Sequence, residues 1–244
     1  MTNLGSEASA LLTRIPEPEL MDDDDQARAY AEADFAEPHN HFVQLLQETF
    51  PQLPKTGTAL DLGCGPGDIT LRFARAFPAW SVEGWDASEA MLNFGYQAVA
   101  AAELQNRITL KKVYVPQRDT ASDTQRDPVS FPLIFSNSLL HHLADPMALW
   151  TEVKQQSGPG TLVFIMDLMR PKKRETARDF VDLYAQDEPE VLRRDFFNSL
   201  LAAYRVDEVQ DQLVQAGLDK LQVRAVRDRH LIIWGQISGS PLNT

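Results

Sequence analysis

Cysteine is nearly absent: Cys64 stands alone in 244 residues. An intrachain disulfide is therefore excluded, and the composition suits a reducing, cytoplasmic compartment. Long apolar runs are missing too. No stretch reaches the roughly 20 residues that a membrane-spanning helix needs, and no charged start followed by an apolar middle reads as a signal peptide. Basic residues are scarce, 23 against 35 acidic, giving a formal net charge of -12. That balance disfavours direct binding of nucleic-acid phosphates. No set of His, Cys, Asp and Glu has recognisable metal-ligand spacing. The acidic run Asp22 to Asp25 reads instead as a solvated tail ahead of a helix start. No internal repeat is visible. What is present is one domain's length of chain, with 43% hydrophobic residues to build a core.

Residues 1–50 read as an amino-terminal tail followed by helices, with Phe42, Leu45, Leu46 and Phe50 at helical spacing before Pro51. A regular alternation then begins and defines the main domain, residues 51–244. Strands are expected at 58–62, 81–86, 108–115, 131–136 and 161–167, with helical faces between most of them. Ile69, Phe73 and Phe77 form one such face, and Met147, Trp150 and Val153 another. Strands alternating with helices imply a mainly parallel sheet covered on both faces. Residues 171–204 break the pattern with about two helices and no strand, which reads as a helical lid insertion. A last helix follows, and two final strands near 221–223 and 231–234 lie so close in sequence that they pair antiparallel.

The chemistry concentrates in Leu60-Asp61-Leu62-Gly63-Cys64-Gly65-Pro66-Gly67. An apolar strand end passes through an acid into a glycine-rich turn, and a helix follows. Gly63, Gly65 and Gly67 let the chain turn tightly and let a ligand approach the backbone. Asp86 ends the second strand 19 residues after Gly67, near the ~20 expected of a ribose-binding acid. The fourth strand runs into Ser136-Asn137-Ser138-Leu139-Leu140-His141-His142.

With these residues in view, the chain resembles the class I S-adenosylmethionine-dependent methyltransferases. Residues 59–67 are similar to that family's first motif, residues 82–92 to its second, and Leu133 to Pro146 to its fourth-strand segment. The resemblance is strong over 55–170 and weaker over 206–235. It implies an α/β fold: a Rossmann-like three-layer sandwich on a mainly parallel seven-stranded sheet with an antiparallel last strand. It implies S-adenosylmethionine as cofactor and S-adenosylhomocysteine as product. Gly63, Cys64, Gly65 and Gly67 would shape the turn against the methionine part of the cofactor. Asp61 would face its ammonium group, and Asp86 and Ala87 its ribose. Met91 would pack near ribose or adenine. Ser136 and Asn137 would flank the sulfonium. The family often places an acid after the third strand to bind the adenine amine; here Tyr114 and Val115 occupy that place, with Asp119 as a fallback.

The expected reaction is methyl transfer to a small-molecule acceptor. His141 and His142 are candidate bases because imidazole titrates near neutrality, although packing or capping is the plainer role for either. Asp167, at the carboxyl end of the fifth strand, faces the crevice where open α/β sheets bind ligands, or caps a turn. Arg170 heads a basic cluster that is either a solvated helix face or a trap for an anionic substrate. Tyr184, Phe197 and Tyr204 are lid candidates, and Tyr30 and Phe35 could close from the amino-terminal side. Cys64 lacks a basic neighbour and is read as a small filler. Two other readings stay open: non-methyl chemistry on the same cofactor, such as carboxymethyl transfer or tRNA-modification chemistry, and a non-catalytic S-adenosylmethionine binder. A nicotinamide oxidoreductase is a more distant alternative. Oligomeric state is not legible.

Overall fold

The computed structural model describes residues 11–16, 24–117 and 130–238. Asp119, the fallback for adenine, and Asp22 and Asp23 of the acidic run lie outside them. Seven strands form one sheet: β1 (Gly57–Leu62), β2 (Trp80–Asp86), β3 (Ile108–Lys112), β4 (Leu133–Asn137), β5 (Leu162–Leu168), β6 (Gln222–Val226) and β7 (His230–Gln236). Their spatial order is β3-β2-β1-β4-β5-β7-β6. Parallel pairing holds from β3 to β5, and β7 runs antiparallel to both β5 and β6. The expected sheet, with its reversed last strand, is the one found. The third strand is shorter than its apolar pattern suggested, because the chain leaves the sheet at Val113, whose N–H donates to the Asp86 carbonyl.

Period-two alternation sends side chains to two cores. On one face Phe135, Phe164 and Met166 meet Phe42 and Leu46 of α2 (Ala36–Thr49), Phe73 of α3 (Asp68–Ala76) and Leu92 of α4 (Glu89–Ala101). On the other, Ile134, Val163, Ile165 and Ile233 meet Trp150 of α5 (Met147–Gln156) and Val209 and Leu213 of α8 (Val206–Ala216). Fully buried Phe42 packs edge-on against Phe164 with 5.1 Å between ring centroids, so residues ahead of position 51 help cover the sheet.

The two helices expected in 171–204 are α6 (Arg174–Tyr184) and α7 (Glu190–Ala202). They pack on one another through Ala177, Val181, Leu200 and Leu201. Short α1 (Asp24–Glu32) rests on α4, where Ala27 meets Ala90 and Met91. Together α1, α6 and α7 stand over the carboxyl ends of the parallel strands and turn an open edge into a walled crevice.

Candidate active site

The first wall is the glycine turn. Gly63, Gly65 and Gly67 all have positive φ (73°, 51° and 82°), a region that side-chain-bearing residues rarely occupy. The turn is pinned from below, since Gly63 and Cys64 N–H both donate to the Trp85 carbonyl, at 2.8 and 3.0 Å. It is pinned from the side by Asp86, whose Oδ2 accepts from Gly65 N–H at 2.8 Å. The other oxygen, Oδ1, accepts from Ser88 N–H at 2.8 Å. Burial pushes the Asp86 carboxyl up, and these backbone donors oppose the shift. A Cβ added at Gly65 would meet nothing within 4 Å, because it would point into open cavity. Cys64 is buried, and burial raises its thiol well above the usual range, in keeping with a filler.

Above the turn lies a cavity of about 190 Å³ lined by Asp61, Gly63, Cys64, Gly65, Asp86, Ala87, Met91, Tyr114, Val115 and Asn137. Those ten residues, expected to hold the cofactor, are thus brought together. Tyr30 closes the cavity from α1, and burial with Asp68 and Asp86 nearby pushes its phenol up to about 12. Asp61 is 1% exposed, and its Oδ2 accepts from Thr70 Oγ1 at 2.5 Å. Burial is the main reason its carboxyl is pushed up to about 7, with Thr70 opposing.

A second cavity, of about 360 Å³, adjoins the first; Tyr30, His39, Asn137, Ser138 and His142 line both. Its far walls are the lid helices (Tyr184, Leu192, Phe196), Phe35, and the hairpin where Arg229 precedes β7 and His230 begins it. At the junction Ser138 sits at φ +60° and donates its N–H to the Met166 carbonyl. A left-handed serine is strained backbone of the kind that gathers at functional sites. Beside it, the 3-10 turn Leu140–His142 is tied down by Asp167. Oδ2 accepts from Leu140 N–H at 2.7 Å, and Oδ1 lies 2.6 Å from His141 Nδ1. His141 lines the second cavity and stacks on His142 with centroids 4.2 Å apart. Burial, with His141 nearby, holds the His142 imidazole well below its usual range.

Six expected site residues lie elsewhere. Gly67 lines neither cavity; it is the left-handed residue that opens α3. Ser136 is fully buried and donates to the Leu62 carbonyl at 2.6 Å, stitching β4 to β1. Asp167, 1% exposed, holds His141 and the 3-10 turn and lines neither cavity. Phe197 packs under the guanidinium groups of Arg174 and Arg178. Tyr204 is buried beneath Arg14 and donates its hydroxyl to the Leu143 carbonyl at 3.2 Å. Arg170, expected either on a solvated face or as an anion trap, is 3% exposed. Its guanidinium pairs with Glu208 and donates to the carbonyls of Leu12 and Ala203, so it clamps the chain segments behind the lid. Arg170→Gln is expected to lower the unfolding free energy by roughly 1–3 kcal/mol, the scale of buried acceptors left without their donor, with S-adenosylhomocysteine affinity unchanged. Denaturant titration and calorimetry read the two effects separately.

The structure adds residues that spacing did not single out. His39 lines both cavities, with Nδ1 2.5 Å from Asp68 Oδ2; Arg72 Nε donates to the same oxygen at 2.8 Å. Arg229 and His230 enter from the last hairpin. Burial is the main reason the His230 imidazole is held down at about 4. Among the described residues no group of His, Cys, Asp and Glu is arranged to hold a metal ion, and no helix is long and apolar enough to cross a membrane.

Comparison with known proteins agrees with this geometry. A family profile described as "Methyltransferase domain" matches residues 30–223. Trans-aconitate 2-methyltransferase of Deinococcus radiodurans is 32% identical over 120 residues, 49% of this chain and 41% of that protein. An uncharacterized methyltransferase of Schizosaccharomyces pombe is 32% identical over 113 residues, 45% of this chain and 39% of that protein. These matches thus span about two fifths of the relatives' own length. Among solved structures, a SAM-dependent methyltransferase from Aquifex aeolicus superposes over 88% of this chain and 98% of its own, with TM-score 0.59 and 17% identity. The plantazolicin methyltransferase BpumL, solved with a triazolic desmethylPZN analogue and S-adenosylhomocysteine, covers 89% of this chain and 92% of its own, with TM-score 0.62 and 13% identity. At such identities the structural matches speak for the fold, and the family profile, spanning most of the chain, speaks for descent. The chain belongs to the methyltransferase-domain family, within the class I S-adenosylmethionine-dependent methyltransferases.

Proposed function

We propose that this protein transfers the methyl group of S-adenosylmethionine to a small-molecule acceptor, with the cofactor in the first cavity and the acceptor in the second. The observation that carries this reading is the shared wall: Asn137, Ser138 and His142 line both cavities, so two ligands would meet there. The first cavity fits the cofactor by the chemistry of its donors. Asp86 offers carboxylate oxygens to ribose hydroxyls, the buried Asp61 offers charge to an ammonium group, and the space above Gly65 is open. When bound, the cofactor supplies a methyl group already activated by its sulfonium. The protein then has to align the acceptor, keep water out and take up one proton.

His141 is the residue suited to the proton. Asp167 Oδ1 lies 2.6 Å from its Nδ1 and orients the ring, and the carboxylate offsets the charge that arrives with the proton. His142, held well below its usual range, stays neutral at physiological pH and is the weaker base. Its place on the shared wall suits positioning of the acceptor. Asp61, Asp86 and the glycine turn would hold the cofactor beside the shared wall, and His141 would take the proton that the acceptor's oxygen or nitrogen gives up on methylation. The single buried cysteine is consistent with a cytoplasmic setting.

The experiment is incubation with S-adenosylmethionine and a fractionated metabolite extract, read by mass spectrometry for products heavier by one methylene unit. Such a product, formed together with S-adenosylhomocysteine, supports the reading. A carboxymethyl mass increment, or tight cofactor binding with no product in any fraction, overturns it in favour of the other uses of the same pocket. With an acceptor in hand, His141→Gln is expected to lower kcat by about 10²- to 10⁴-fold, the usual contribution of a general base, with cofactor affinity unchanged.

A further inference from the structure

We propose that Arg229 anchors a carboxylate of the methyl acceptor, and that the acceptor is an organic acid with an apolar body. This rests on the preceding assignment of the second cavity as the acceptor site. Arg229 lies in the turn before β7, and its backbone is fixed there, with its carbonyl accepting from Met169 N–H at 2.8 Å. Its side chain is only 10% exposed. The guanidinium lies 3.3 Å above the Tyr184 ring centroid, and Tyr184 and Arg229 share Asp228. Tyr184 donates its hydroxyl to Asp228 Oδ2, and Arg229 Nη1 donates to Oδ1 at 3.1 Å.

An arginine carries five N–H donors in a rigid fork. Among the described residues Asp228 is the one side chain that accepts from this fork, and no buried side-chain nitrogen is left without a partner. The remaining donors are therefore accessible, and since Arg229 lines the second cavity we place them toward it. A buried, stacked fork with open donors matches the two oxygens of a carboxylate.

The rest of the cavity narrows the ligand further. Phe35, Leu168, Leu192 and Phe196 give it an apolar wall. Its carboxylates are partly committed, Glu37 to Arg227, Asp195 to Arg194 and Asp34 to the N–H of Ala36. Together with Glu188 they still make its field unfavourable for a polyanion. One carboxylate beside Arg229 suits that field better than three. Arg229 lines the second cavity alone, apart from the wall shared with the first. The anchored carboxylate is thus a handle, and methyl transfer occurs at the other end of the acceptor.

The test uses the full chain saturated with S-adenosylhomocysteine and titrated with hexanoate, 3-phenylpropanoate, their carboxamides and citrate, with affinities read by ligand-observed NMR and calorimetry. The monocarboxylates are expected to bind about tenfold or more tightly than their amides and more tightly than citrate. Arg229→Gln is expected to remove that preference while S-adenosylhomocysteine affinity holds, and Arg229→Lys to restore part of it. Equal binding of acids and amides by the wild type overturns the proposal, as does no binding of any acid by cofactor-loaded protein. So does an unchanged preference in a folded Arg229→Gln variant. Should that variant fail to fold, the wild-type acid–amide comparison and Arg229→Lys decide. Failure of the wild type to bind S-adenosylhomocysteine would overturn the functional assignment beneath it, so the two failures are distinguishable.

Discussion

Replacing Asp86 by alanine is expected to weaken S-adenosylhomocysteine binding by about 10²- to 10³-fold. In the proposed site the carboxylate has two roles, and alanine removes both. One is contact with the ligand, where an ionised carboxylate accepting from ribose hydroxyls contributes roughly 1.5–3 kcal/mol for each bond. The other is local: Asp86 holds Gly65 N–H and Ser88 N–H, each at 2.8 Å, and so ties the glycine turn to the start of α4. Asp86→Asn separates the two. The amide keeps one acceptor oxygen and loses the charge, so its affinity is expected between wild type and alanine. Isothermal titration of the three proteins with S-adenosylhomocysteine checks the order, and thermal unfolding without ligand reports the part that belongs to the turn. Equal affinity in all three would remove Asp86 from the ligand and with it the cofactor role of the first cavity.

Why Asp86 was legible while Arg229 was not follows from the direction of the strands. In a parallel sheet, successive carboxyl ends lie side by side, so a motif after β1 and an acid at the end of β2 must meet. The bonds from Gly63 and Cys64 to the Trp85 carbonyl are that meeting. Sequence alternation therefore located the glycine turn, Asp61 and Asp86 together. The antiparallel β7 inverts the rule, since it begins at the edge where the other strands end. Its His230 pairs with Leu168, the last residue of β5, and this brings the Arg229 turn to the crevice from far along the chain. The reversed strand itself was readable; the arginine ahead of it carried no motif.

Arg170 shows the opposite error. It follows β5 by two residues, and charge alone aimed it at the substrate. Its neighbour Met169 bridges to Tyr204, and that pairing carries Arg170 behind the lid toward Leu12, Ala203 and Glu208. Those partners are distant in sequence, so the burial of its charge left no local signal. His39 was missed for a related reason. Its partner Asp68 opens a helix 29 residues later, and an isolated histidine on an amphipathic helix announces nothing.

Asp61 carries the second large expectation, in which stability and binding move in opposite directions. Burial pushes its carboxyl up to about 7, against about 3.9 in an unfolded chain. The folded protein thus holds a proton that the unfolded chain has released. The stabilisation this brings is complete below about pH 4 and is lost as pH rises through 7. By pH 8 the cavity carries a buried charge costing on the order of 4 kcal/mol. Asp61→Asn removes that charge and keeps an oxygen for the Thr70 hydroxyl, which donates to Oδ2 in the wild type. The variant without ligand is therefore expected to be more stable than wild type at pH 8, by roughly 1–3 kcal/mol once the buried amide is counted, and to lose that advantage near pH 4. Ligand binding reverses the preference. In the proposed site the cationic amino group of S-adenosylhomocysteine would be held by the ionised form of Asp61, so wild-type affinity is expected to rise about tenfold from pH 6 to pH 8. In Asp61→Asn the affinity is expected to be low and flat across that range. Denaturant melts at pH 4 and 8 and titrations at pH 6, 7 and 8 measure both halves. An asparagine variant that binds as tightly as wild type would place the ligand's amino group away from Asp61. A variant stabilised at pH 8 but unable to bind would show that this acid is kept in an unfavourable site for the sake of the cation it receives.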